Sequence, residues 1–162
     1  MPYRKIVEHL EKAIELLPKG VSLAKGGVGE IALAHHLGHT VVKGDKGADG
    51  MDEDGNKFEY KISTTDQFNF HFGARKEGYE EVIFDHFENI EGAYCAKRVG
   101  MKITDVVYVP SYLLVPALIL HFKGTVGGQL NKCFGIKTYK ALKTHSNNNI
   151  PGRLSGIKDN IL

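Results

Sequence analysis

The chain is expected to fold as a mixed α/β (α+β) protein, a central mixed β-sheet flanked by helices. Three observations predict it. Apolar residues recur at helical spacing in the N-terminal quarter, alternating and β-branched runs follow, and a further helical stretch separates the later strands. The 162 residues, 42% hydrophobic and 25% charged and without low-complexity sequence, suit a single domain over 1–162 that buries a real core.

The elements follow in order. Ile6, Leu10, Ile14 and Leu17 share one face of a helix over 4–17, which Pro18-Lys19-Gly20 ends. A second helix over 28–37 is closed by Gly38. Residues 40–43 are β-branched and 57–63 alternate apolar with polar, so both read as strands around a turn-rich 44–56 with a hairpin signal at Asp54-Gly55. From 64 to 78 no regular element is predicted. Beyond it, 79–87 reads as a helix, and 92–97 and 102–109 as strands joined around Arg98-Val99-Gly100. Residues 116–122 make a short helix with Pro116 in its first turn.

Composition narrows the function classes. No run reaches the roughly 18 consecutive apolar residues of a membrane helix, and residues 1–20 carry scattered charges in place of a signal-peptide layout. A cytoplasmic protein without membrane contact is expected. Cys95 and Cys133 lack C-x-x-C spacing and read as reduced, buried thiols. The net charge of +2 hides an asymmetry: residues 123–162 hold seven basic residues against the single acid Asp159, which leaves the first 122 residues at −4. A basic C-terminal portion on an acidic body suits a protein that grips phosphates with one part and cations with another. A solvated lysine-rich face explains the charge equally well.

Chemistry concentrates in residues 44–63, GDKGADGMDEDGNKFEYKIS. On a strand, Phe58, Tyr60 and Ile62 point one way and Glu59 and Lys61 the other. A hairpin turn brings Asp49, ten residues upstream, back beside Glu59. Two carboxylates at one point repel unless a cation lies between them, and few hard oxygen ligands favour Mg2+ bound with several waters. The Tyr60 carbonyl is a further candidate ligand. Such an ion polarises a phosphate oxygen and acidifies a bound water, while the Lys61 ammonium orients that water and offsets charge developing on phosphorus. The alternative that the residues leave open is an ordinary cluster of exposed hairpin charges.

The order and spacing of Asp49, Glu59, Tyr60 and Lys61 resemble the signature of the PD-(D/E)XK nucleases, and the chain is similar within them to the PvuII family of type II restriction endonucleases. The similarity continues through GADGMDEDGNKFEYKIS, EGAYCAKRVGMKITDVVYVP and SNNNIP, which reads like an Asn-rich recognition loop; together they span roughly half the chain. The resemblance implies a restriction-endonuclease-like sheet and a homodimer on double-stranded DNA. It also implies Mg2+-dependent, sequence-specific hydrolysis leaving 5′-phosphate ends, with Asp49, Glu59 and Lys61 catalytic. Ala48 stands where the motif has proline, FNFHFG only loosely resembles the family's histidine-bearing DNA-contact segment, and 123–144 has no counterpart. A structure-specific repair or junction nuclease of the same fold and a non-catalytic DNA-binding module are the alternatives.

Other residues carry two readings each. Glu30, early in the second helix, either complements the positive helix N-terminus or joins the catalytic carboxylates, as helix glutamates of the resembled superfamily do. Asp45 and Asp52 compete as ligands but suit solvated turn positions. His35, His36 and His39 lack zinc-site spacing and read as structural or surface residues. His71 is a candidate base or phosphate contact, or a core-edge residue between Phe70 and Phe72. Asn147, Asn148 and Asn149 are candidate base readers as well as a turn signal, with Lys137, Lys140, Lys143 and Arg153 as phosphate contacts.

Overall fold

The computed structural model describes residues 3–23, 26–42, 47–65, 67–72 and 78–123, and the backbone alone of 130–135. Helices α1 (Arg4–Glu15) and α2 (Gly27–Leu37) precede strands β1 (Thr40–Val41), β2 (Gly50–Met51), β3 (Lys57–Ser63) and β4 (Gln67–Phe72). Helix α3 (Tyr79–Phe87), strands β5 (Gly92–Val99) and β6 (Lys102–Pro110), helix α4 (Ser111–Phe122) and strand β7 (Leu130–Gly135) follow.

A five-stranded mixed sheet runs in the order β1-β2-β3-β5-β6, and a two-stranded sheet pairs β4 with β7. All pairs are antiparallel except β3 with β5, which places Glu59 level with Ala93 and Lys61 level with Cys95. A parallel pair needs a crossover, and β4 and α3 supply it. This is the expected α+β class of architecture.

Each sheet face has its own core. Phe58 and Tyr60 of β3 and Ala96 of β5 pack with Leu33 and Ala34 of α2. On the opposite face Ala93, Cys95, Val107 and Val109 meet α3 through Ile83, Phe84 and Phe87, and α4 through Leu114, Val115 and Leu118. Phe68, Phe70 and Phe72 of β4 close this larger core. Cys95 is a buried thiol, as expected; the Cys133 side chain lies outside the described residues. Among the described residues no helix is long and apolar enough to cross a membrane.

Three expectations need correction. Gln67–Phe72 is a strand where irregular chain was predicted, and its residues alternate exposed with buried in strict period two. Helix α4 starts at Ser111, so Pro116 lies inside it and not in its first turn. An interior proline removes one backbone hydrogen bond and costs about 3 kcal/mol. Burial of Leu114, Val115, Leu118, Ile119 and Phe122 outweighs that, at roughly 1.5–3 kcal/mol for each large apolar side chain. Finally, β7 occupies part of the stretch to which no element had been assigned.

Candidate active site

The site is built on the β2–β3 hairpin. Register pairs Gly50 with Phe58 and Met51 with Lys57, and the Asp49 amide donates to the Phe58 carbonyl at 2.9 Å. Asp49 is thereby brought back to the level of Glu59, as the hairpin signal required. Its Oδ2 accepts the Tyr60 amide at 2.8 Å, which anchors the carboxylate to β3 itself. Gly50 is required here: a Cβ would stand 2.0 Å from the Tyr60 hydroxyl. That hydroxyl shares a 2.9 Å hydrogen bond with His39 Nδ1, and His39 stacks on Phe58 with centroids 5.0 Å apart. The Tyr60 side chain thus belongs to the α2-face core, and His39 has a structural role, as expected.

Glu59 and Lys61 do share the other face of β3, but that face is the edge of the larger core, not an open surface. Glu59 is only 5% exposed. Its Oε1 pairs with the Lys61 ammonium, and its Oε2 accepts from His86 Nε2 of α3 at 3.1 Å. The Lys61 ammonium also lies over the Phe70 ring, 5.0 Å from its centroid. The reading of these residues as exposed hairpin charges therefore fails for Glu59.

Electrostatics separate the two acids. Burial first, then the neighbouring Glu59 charge, pushes the Asp49 carboxyl up to about 6, against the opposing pull of the Tyr60 amide and Lys61. Burial by itself would raise Glu59 too, but the His86 hydrogen bond and the Lys61 charge outweigh it and hold this carboxyl below its ordinary value. Glu59 is the better compensated of the two acids. The Glu30 charge also bears on Asp49 and raises it further.

Glu30 reaches this neighbourhood because α2 lies close against β3. A Cβ on Gly29 would meet Ile62 Cγ2 at 3.1 Å and Arg98 Nε at 3.4 Å. Glu30, Lys61, Ser63, Gln67, Asn69 and Arg98 line a cleft of about 390 Å³ beside the hairpin. Asp49, Glu59 and His71 are not among its lining residues. His71 is exposed on β4, pointing away from the buried Phe70 and Phe72, so it is not packed at the core edge. Asp52 accepts the amides of Asp54 and Asn56 at 3.0 and 2.8 Å and the Asn56 side chain at 2.9 Å, so it builds the turn. His35 and His36 are exposed. Asp45, Lys137, Lys140, Lys143, Asn147, Asn148, Asn149 and Arg153 lie outside the described residues.

His86 and Arg98, with Gln67 and Asn69 of the cleft, escaped the sequence reading. His86 comes from 27 positions beyond Glu59 and carried no local signal, because helix α3 brings it there by packing. Arg98 is the penultimate residue of β5, one beyond the Ser63–Lys97 pair that closes the register with β3, and its Nη1 donates to the Gly100 carbonyl at 2.6 Å. Its approach follows from the parallel β3–β5 pairing, which periodicity does not reveal.

The arrangement has the donors for a hard divalent cation. Among the described residues no group of three or more His, Cys, Asp or Glu is assembled as a metal site, so an ion here would rest on the two carboxylates, a main-chain carbonyl and water. The carboxyl of Asp49, raised by burial and by the Glu59 charge, is the group whose charge a cation here would offset. Neither a protein-family model nor a curated protein matches this chain.

Proposed function

We propose that the protein is a Mg2+-dependent endodeoxyribonuclease acting on double-stranded DNA, with Asp49, Glu59 and Lys61 as its catalytic centre. The observation that carries this reading is the convergence, on one hairpin, of a buried carboxylate, a second carboxylate and an ammonium. Its resemblance to the PD-(D/E)XK signature extends the reading to a type II restriction endonuclease of cytoplasmic location that works as a homodimer.

In this mechanism Asp49, Glu59 and the Tyr60 carbonyl would hold the ion. When bound, Mg2+ supplies Lewis-acid polarisation of the scissile phosphate and a water of lowered pKa. Lys61 orients the attacking water and offsets negative charge on phosphorus. Each carboxylate oxygen offers about two lone-pair sites, so Asp49 Oδ2 and both Glu59 oxygens each keep one beyond the hydrogen bond they accept. His86 keeps one Glu59 oxygen fixed. The bond from the water oxygen to phosphorus forms as the P–O3′ bond breaks, the water's proton passes to solvent and the 3′ oxygen takes one from solvent, so the ends carry 5′-phosphate and 3′-hydroxyl. Glu30 would assist from the cleft it lines with Arg98, Gln67 and Asn69, and these three would contact the DNA backbone. His71, Lys143 and Arg153 are the proposed phosphate contacts outside the cleft, with Asn147, Asn148 and Asn149 reading bases.

Incubation with plasmid or phage DNA and Mg2+ tests the proposal. Discrete bands are the expected result. Cleavage confined to junctions or damaged duplex would point to a structure-specific nuclease, and Mg2+-independent binding without products to a binding module. Asp49→Ala should abolish cutting and leave DNA binding largely intact; persistent cutting would remove Asp49 from the mechanism.

A further inference from the structure

The two acids of the site come from two arms of the chain, and one ring from a third element touches both arms. His86 of α3 donates from Nε2 to Glu59 Oε2 at 3.1 Å. The arm that leads into Asp49 passes close against the same ring: a Cβ on Gly47 would stand 2.9 Å from His86 Cε1 and 3.0 Å from the His86 carbonyl. Gly47 also has φ +77°, so glycine alone suits this crossing. The ring is wedged in place by Phe72 and Phe87, which it meets edge-on with centroids 5.3 and 4.8 Å away.

Glu59 is thereby tied at both oxygens, Oε1 to the Lys61 ammonium and Oε2 to His86, while Asp49 is tied through Oδ2 to the Tyr60 amide. The two ties on Glu59 are unequal. Lys61 ends a flexible stem that can follow a moving carboxylate, whereas His86 is a packed ring that cannot. Divalent ions differ in how much movement they demand. Mg2+ takes an octahedron of ligands at about 2.0–2.1 Å and keeps several waters, so one oxygen from each fixed carboxylate serves it. Ca2+ takes about 6–8 oxygens at about 2.3–2.6 Å, often with both oxygens of a carboxylate turned towards it. On Glu59 that turn works against the bond that fixes Oε2. We infer that His86 is a positioning residue that sets ion selectivity, keeping Glu59 in the single-oxygen pose that suits Mg2+ and disfavouring Ca2+. His86 has this role only if Asp49 and Glu59 are metal ligands, as the proposed function has them.

Calorimetric titration of the full chain with MgCl2 and with CaCl2, without DNA, reads selectivity apart from cleavage. Wild type should bind Mg2+ at least as tightly as Ca2+. His86→Ala should shift the ratio of the two dissociation constants towards Ca2+ by about 10-fold, the size typical for loss of a group that orients a metal ligand. His86→Leu keeps apolar contact with Phe72 and Phe87 but has no donor, so it should give the same shift and stands in if circular dichroism shows the alanine variant unfolded. His86→Gln reaches the Nε2 position with an amide donor and should restore the wild-type ratio. A purely structural role for His86 would weaken both ions alike and show no such rescue.

An unchanged ratio in His86→Ala and His86→Leu overturns this role and leaves the metal site standing. A wild type that prefers Ca2+ does the same. A wild type that binds neither ion, with Asp49→Ala titrating identically, removes the metal site itself and the role of His86 with it.

Discussion

The tip and the base of the β2–β3 hairpin are both acidic, yet they use their carboxylates in opposite ways. At the tip, Asp52 accepts three hydrogen bonds from Asp54 and Asn56, and these hold its carboxyl below the ordinary value, with the Asn56 side chain the strongest influence. Its charge serves the turn. At the base, Asp49 has one amide partner and a like-charged neighbour, and its carboxyl rises to about 6. Spacing in sequence does not separate the two; solvent and partners do. A carboxylate near the surface with three hydrogen bonds keeps its charge at little cost, whereas a half-buried one with a single amide partner and a like-charged neighbour favours a cation or a proton.

The strongest way to break this comparison is to exchange the effects of the two positions. Glu59→Gln at the base should slow Mg2+-dependent DNA cleavage by about 10³-fold or more and remove the rise in Tm on adding Mg2+. Asp52→Asn at the tip should change neither, as measured by plasmid nicking and thermal melts. Equal losses from both would mean that the tip belongs to the site.

The next effect is on stability without metal. A raised folded-state pKa means that the contribution of Asp49 is fully present below its ordinary value of 3.8 and lost as pH rises through about 6. Asp49→Asn, which keeps an acceptor for the Tyr60 amide, should therefore stabilise the metal-free protein at pH 8 by about 2 kcal/mol, discounted for partial exposure, and give no gain below pH 4. Glu59 has the opposite sign: its contribution is present above the ordinary carboxylate range and lost as pH falls through its lowered value. Urea titrations of wild type and variant at the two pH values check both directions.

His86→Ala sharpens the contrast from the far side of the site. It leaves Glu59 Oε2 buried without its 3.1 Å donor and should cost about 2 kcal/mol, read in urea. Its edge-on contacts with Phe72 and Phe87 are lost as well. His86→Asn should recover part of the loss if a donor to Glu59 is what matters. The smallest effect belongs to Asp52→Ala, which should only speed amide exchange at Asp54 and Asn56 and leave the rest of the hairpin protected.

Much of this was legible in the chain itself. Period-two alternation places Phe58 and Tyr60 opposite Glu59 and Lys61, and Asp54-Gly55 returns the chain so that Asp49 meets Glu59. Those are local facts, set by pleat geometry and turn chemistry over fewer than fifteen residues. The alternation of QFNFHF was equally local, but a single apolar residue type recurring at period two next to an unassigned stretch gave no partner strand, and β4 is completed only by pairing with the distant β7. Pro116 misled for the opposite reason: a local rule about helix starts was overridden by core burial along α4.

The amino-acid order alone determined the hairpin, the sides on which its residues lie and the acid-acid-lysine set. Tertiary structure decided everything that depends on burial. It made the Glu59 and Lys61 face of β3 a core edge, brought His86 and Arg98 to the site from other elements, and gave two similar acids unequal compensation. The reason is that charge energies depend on which distant groups exclude water and which supply partners, and neither is written in the neighbouring residues.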